Sequence, residues 1–142
     1  IAANEGLLGF SLYPFHLKDG PKCSLENFAD MVAWTADRMG VNRIGFGSDL
    51  CQSQPQSVLE WMRTGRWSKV MDYGEGSSQD AGWPEPLAWF GDNRDFPRVV
   101  DALKTKGFSD DELGLIMGGN WVDLLTRVAQ PAVESADIDA DI

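Results

Sequence analysis

Arg43-Ile44-Gly45-Phe46-Gly47-Ser48-Asp49 decides how this chain reads. It is a short apolar strand pattern in which glycines alternate with larger side chains, and it stops at a carboxylate. Ile44 and Phe46 fall on one face and Gly45 and Gly47 on the other, where a missing Cβ lets a neighbouring backbone or ligand come close. Barrels and open parallel sheets place their chemistry at the carboxyl ends of the strands, so Asp49 is a candidate site residue. A turn-initiating Asp that caps the next segment would look the same.

Upstream of this strand, Leu7 to Tyr13 is apolar and closed by Pro14, which predicts a buried strand leading into a loop through Lys22. The opening Ile1-Ala-Ala-Asn-Glu-Gly6 resembles the last turn of a helix with a glycine stop, and it predicts a start in mid-domain. Ser24 can cap a helix in which Leu25, Phe28, Met31, Val32, Thr35, Ala36 and Met39 recur at helical spacing, with Gly40 as its stop. Val41 to Asp49 is then the second strand. Strand, helix, strand with a helix of this length fits a right-handed crossover between parallel neighbours, so the class is α/β.

From Asp49 to Asp92 the chain is rich in Gly, Ser, Pro, Trp and Gln, with a short helix predicted around Ser57 to Thr64. Segments this long are usually lids or binding loops. This one carries Trp61, Trp67, Tyr73, Trp83, Trp89 and Phe90, which can wall a pocket or pack the loop onto its own scaffold. Farther on, Asp95 and Pro97 predict a helix start, and Gly107 its end. Ser109-Asp-Asp-Glu112 is a capping box, followed by an apolar stripe through Leu113, Ile116, Met117, Trp121, Leu124, Leu125 and Val128. Such a stripe must pack on something large. Residues 129–142 read as an acidic, weakly ordered tail.

The 142 residues suit one domain, and nothing demands a second. A net charge of −10, from 22 acidic and 12 basic residues, argues against a nucleic-acid partner, which would need a basic patch. There is no run of roughly 18 apolar residues for a transmembrane helix, and no basic-then-apolar signal peptide at the start. Two cysteines, Cys23 and Cys51, are too few for a disulfide framework and lack zinc-ribbon spacing.

The chemistry open to these residues is narrow. With one histidine, His16, the chain cannot build a complete zinc site alone. His16, Cys23 and Cys51 lie beyond strand ends and could meet Asp49, but no spacing supports it. Ser48 is outside any Gly-x-Ser-x-Gly elbow, and neither a dinucleotide fingerprint nor a Gly-Lys-Ser/Thr loop is present. What remains is a carboxylate poised to move protons, close to a water activated by other residues. A metal-free acid-base pair of Asp49 with His16 is a weaker option.

Taken together, Ile44-Gly-Phe-Gly-Ser-Asp49, Gly82-Trp-Pro-Glu-Pro86, Phe96-Pro97 with its helix, and Ile116-Met-Gly-Gly-Asn120-Trp121 resemble the C-terminal part of the membrane (renal) dipeptidase family, peptidase family M19. Glu5-Gly-Leu-Leu-Gly-Phe10 is similar to that family's Gly-Gly-Val-Ile-Gly strand, so the resemblance covers roughly residues 1–128. It implies the C-terminal portion of a (β/α)8 TIM barrel of the amidohydrolase-like superfamily. Leu7 to Tyr13 would be strand seven and Arg43 to Asp49 strand eight, each with its helix.

The resemblance also implies a zinc-dependent dipeptidase with two zinc ions in the complete enzyme. Asp49 matches the family's active-site Asp, which contacts the substrate's amino end and handles the proton. The metal ligands and the substrate-binding Arg would lie before Ile1, so no metal ligand is assigned in this chain. Trp83 and Trp89 are candidate substrate contacts across the barrel mouth. The partners implied are a dipeptide and the N-terminal part of the barrel, covalent or as another chain, and two strands with apolar helices predict association. A non-catalytic half-barrel subunit is the alternative. Two departures bear on substrate preference: Leu50-Cys51-Gln52 replaces a frequent Phe-Asp-Gly, and Asp123 stands where an Arg is common.

Overall fold

The computed structural model describes residues 1–50, 55, 57, 58, 61 and 86–129. Two strands, β1 (Leu8–Ser11) and β2 (Ile44–Gly47), pair in parallel, with Leu8 opposite Ile44 and Ser11 opposite Gly47. The crossover between them is α1 (Leu25–Met39). A parallel neighbour can form only after the chain has returned to its starting end, and a helix of this length makes that return.

Local chemistry sets the limits of α1. Ser24 Oγ accepts from the Asn27 N–H at 3.0 Å, and Gly40 ends the helix at φ 88°. Phe28, Ala29, Val32 and Ala36 line its buried side, and the Thr35 hydroxyl is satisfied by the Met31 carbonyl at 2.8 Å. The Phe28 ring meets Phe10 at 5.9 Å and Phe46 at 5.6 Å, which seats α1 on the face of the sheet that carries the larger residues.

The second strand is shorter than its apolar run suggests. Val41–Arg43 forms a 3-10 turn, closed by the Arg43 N–H on the Gly40 carbonyl at 3.0 Å, and the strand ends before Ser48. The N-terminal turn also differs in detail. Ala2–Asn4 is a 3-10 helix whose left-handed stop is Glu5 (φ 55°), not Gly6.

Beyond the sheet, Leu87 and Phe90 form an antiparallel bridge that leads to α2 (Phe96–Thr105). Asp95 does not cap α2 with its side chain. Its carboxylate turns back onto the N–H groups of Gly91 (2.8 Å) and Asp92 (3.2 Å), while Asp92 caps the preceding 3-10 turn Asn93–Asp95. The reciprocal box therefore sits one turn earlier than the sequence suggests. Gly107 follows α2 at φ 92°.

The capping box at Ser109 and Glu112 forms as expected and opens α3 (Asp110–Gly114). The helix does not then run unbroken. Leu115–Gly119 is a wide π turn in which Gly118 leaves helical dihedrals (φ 167°, ψ −28°), and α4 (Asn120–Ala129) begins after it. Such turns add a residue to the helical path and rotate everything that follows. The predicted stripe is split as a result: Leu113 and Ile116 are buried, whereas Leu125 (59% exposed) and Val128 (68%) face outward and Asn120 faces in.

One core joins these elements, with Phe28, Val32, Ile44, Val99, Leu103 and Ile116 fully buried. The predicted helix over Ser57 to Thr64 lies largely outside the described residues, as does the tail from residue 130. Among the described residues no helix is long and apolar enough to cross a membrane.

Candidate active site

Asp49 lies two residues past the end of β2, exposed, with its backbone in the left-handed region at φ 53°. Asp is among the few residues with a side chain that tolerate this conformation. The carboxyl end of β1 lies alongside, because the strands are parallel and the Leu12 N–H donates to the Gly47 carbonyl at 3.1 Å. There Ser11 Oγ accepts from the Tyr13 N–H at 3.0 Å, and the Tyr13 ring stands 5.0 Å from that of His16. His16 and Asp49 thus share one end of the sheet, but no hydrogen bond joins them among the described residues.

The opposite face of the sheet is the glycine face, and a side chain occupies it. The Trp121 indole covers it so closely that a Cβ on Gly9 would stand 3.0 Å from Cζ2. Its Nε1–H donates to the Phe46 carbonyl at 3.1 Å. Beside it, the buried Asn120 amide donates to the carbonyls of Val41 (2.8 Å) and Ile44 (2.7 Å). Both acceptors are carbonyls, so the carboxamide can face them only with its nitrogen.

The sequence marks Gly45 as a point of close approach but misses Asn120. Its signal is a polar residue inside an apolar stripe, straight after two glycines, where helix propensity is poor.

Trp89 is buried in the core rather than open to a cleft. Its Nε1–H donates to the Cys23 carbonyl at 2.7 Å and its ring lies 5.2 Å from Phe28, so it ties the segment before α2 to the loop after β1. Trp83 lies outside the described residues, as do Trp67, Tyr73 and Cys51. Cys23 is a buried free thiol whose pKa is pushed up by burial and, secondarily, by Asp19.

Charge at the helix starts is organised around caps. Arg94, beside Asp92, holds that carboxyl below the usual range, and the backbone N–H groups of Gly91 and Asp92 do the same for Asp95. The Ser109 backbone N–H and hydroxyl likewise lower Glu112. All three are half-buried capping groups. As for zinc, among the described residues no three His, Cys, Asp or Glu side chains converge to hold a metal ion, so these residues do not fit the site on their own.

No family model matches the chain. Over 130 residues it is 25% identical to Dipeptidase tcpJ of Claviceps purpurea, covering 91% of this chain and 24% of the relative. The relation is dipeptidase-like. The fold superposes on the crystal structure of an amidohydrolase from Pseudomonas aeruginosa with a TM-score of 0.72 at 22% identity, covering 89% of this chain and 37% of that one. At that identity the likeness speaks for the fold, a mixed α/β unit consistent with part of a barrel. The chain spans about a quarter of the length of the curated relative (24%).

Proposed function

We propose that this chain is the C-terminal part of a (β/α)8 barrel of the membrane dipeptidase kind, and that the complete protein hydrolyses dipeptides. The observation that carries this reading is Asp49, an exposed carboxylate on a left-handed backbone position at the carboxyl end of a glycine-containing parallel strand. Similarity to a dipeptidase over 91% of the chain supports it. On this reading β1 and β2 are the seventh and eighth strands, and zinc ligands come from residues outside this chain.

The part this chain plays follows from what a carboxylate can do at that point. Ionised, Asp49 only accepts hydrogen bonds, so it pairs with the ammonium at the amino end of a dipeptide and sets which end of the substrate enters. The same oxygens can take a proton and return it to the departing amine. Trp83 remains a proposed substrate contact across the mouth. Trp89 acts at most through the edge of its ring, because its face and its N–H are already engaged.

Two strands cannot close a barrel, and they need the remaining strands as a partner. The outer face of α4, where Val122 (66% exposed), Leu125 and Val128 lie in a row, is read as a surface for that partner or for a second copy. A release assay with simple dipeptides tests the function: the complete protein should turn them over and the isolated chain should not. Full activity from the isolated chain would overturn the assignment of the missing groups to residues outside it.

A further inference from the structure

The loop that follows β1 carries charge that the fold does not use. Past Ser11 the chain runs over the carboxyl end of the sheet to Ser24, where α1 begins, through two 3-10 turns, Pro14–His16 and Gly20–Lys22. Leu12, Pro14, Leu17 and Cys23 are buried and hold the loop to the core. Pinned at those points, it leaves Lys18 and Lys22 exposed, at the end of the sheet where Asp49 stands.

These two lysines are set apart by what they lack. Among the described residues every other Lys and Arg is held by a carboxylate or, for Arg38, by the Trp34 ring at 3.7 Å. Lys18 and Lys22 make no such contact among the described residues. The carboxylate between them in sequence, Asp19, turns instead to α1, where its Oδ2 accepts from the Asn27 amide at 3.3 Å. The chain as a whole bears a charge of −10, which repels anions except where unpaired cations gather. Here such cations gather beside one exposed carboxylate, so this end of the sheet is bipolar.

A dipeptide is bipolar as well. On the dipeptidase reading its ammonium goes to Asp49 and its terminal carboxylate to an Arg outside this chain. The two lysines are then left for a second carboxylate. A Lys ammonium is a point charge on a flexible stem, which meets an anion without demanding one geometry.

We propose that Lys18 and Lys22 form a lip that selects dipeptides with an acidic side chain, such as those ending in glutamate. The proposal rests on the dipeptidase reading. Exposed ion pairs are weak and screened by salt, so the preference is modest and depends on ionic strength.

Glycyl-glutamate and glycyl-glutamine test it, because they differ in charge at nearly constant shape. Net charge alone would favour the glutamine substrate. In the complete protein at about 20 mM salt, kcat/KM should instead favour glutamate about threefold or more, mainly through KM, and the ratio should approach one at about 500 mM salt. Lys18→Ser combined with Lys22→Ser should bring the low-salt ratio to about one or below. Lys104→Ser, which removes a cation already paired with Asp110, should leave the ratio as it was. Equal kcat/KM for the two substrates at low salt, or a preference that survives the double substitution, would overturn the proposal and leave the dipeptidase reading standing. Should the double variant not fold, the low-salt ratio and its salt dependence in the unsubstituted protein decide. Turnover of no dipeptide at all would overturn both.

Discussion

Trp121 Nε1 lies 2.5 Å from the place where a Cβ on Gly45 would stand, so one indole fills the space that any side chain at position 45 would need. Sheet and final helix are fitted to each other at that point. The sequence shows a glycine where something must come close, and the structure shows that what comes close is a ring from 76 residues downstream, 121 − 45.

Gly45→Ala should therefore cost about 1–3 kcal/mol, the usual penalty of overpacking. Gly47 is the control, since nothing lies within 4 Å of a Cβ built there. Its change to Ala should cost well under half as much. Urea melts of both variants give the comparison, and equal losses would mean that Trp121 yields without cost.

The acid limb of stability should depend on the caps. Glu112 is held below its ordinary 4.5 by Ser109, so the folded state binds its proton less readily than the unfolded chain does. That contribution is fully present above about pH 4.5 and disappears as the pH falls through the lowered value. Asp92 and Asp95 act in the same sense from an ordinary 3.8. Melting temperature by circular dichroism should thus fall between pH 6 and pH 3, and Glu112→Gln should flatten part of that fall; an identical pH profile would mean that Glu112 contributes nothing to it.

Much of the architecture is legible in the residues because its signals are local. Ser24, Gly40, Ser109 and Glu112 mark helix ends that form where the pattern puts them. The parallel pairing follows from a helix of crossover length between two apolar runs. What the residues hide is register around a defect. Gly118 and Gly119 permit a wide turn that re-phases α4, and no periodicity count in the sequence shows which residue will then face inward. Asp49 can be read from the sequence as a strand-end acid, but its left-handed backbone cannot, nor can the claim of Asn120 and Trp121 on carbonyls far upstream.

Trp89 offers a test of packing against ligand contact. Removing its N–H by Trp89→Phe leaves the Cys23 carbonyl unsatisfied in a buried place, at a cost of about 1–3 kcal/mol. The same change should expose the Cys23 thiol to alkylating reagents, which the native fold shields. A shifted KM for dipeptides with unchanged stability would instead put the ring in the substrate wall.

The outer row of α4 should behave as an unfinished interface. Leu125→Glu should reduce self-association of the isolated chain on size-exclusion chromatography, and should lower the melting temperature of the complete protein by several degrees. A complete protein indifferent to the change would leave that face to solvent.

On the proposed function, Asp49 belongs to the reaction and not to the fold. Asp49→Asn keeps a residue suited to the left-handed backbone, so melting should stay within about 0.5 kcal/mol of the unsubstituted protein. Dipeptide turnover by the complete protein should at the same time fall at least about 100-fold, the usual worth of a positioned acid-base group. Turnover within about threefold of the unsubstituted protein, at equal stability, would contradict it.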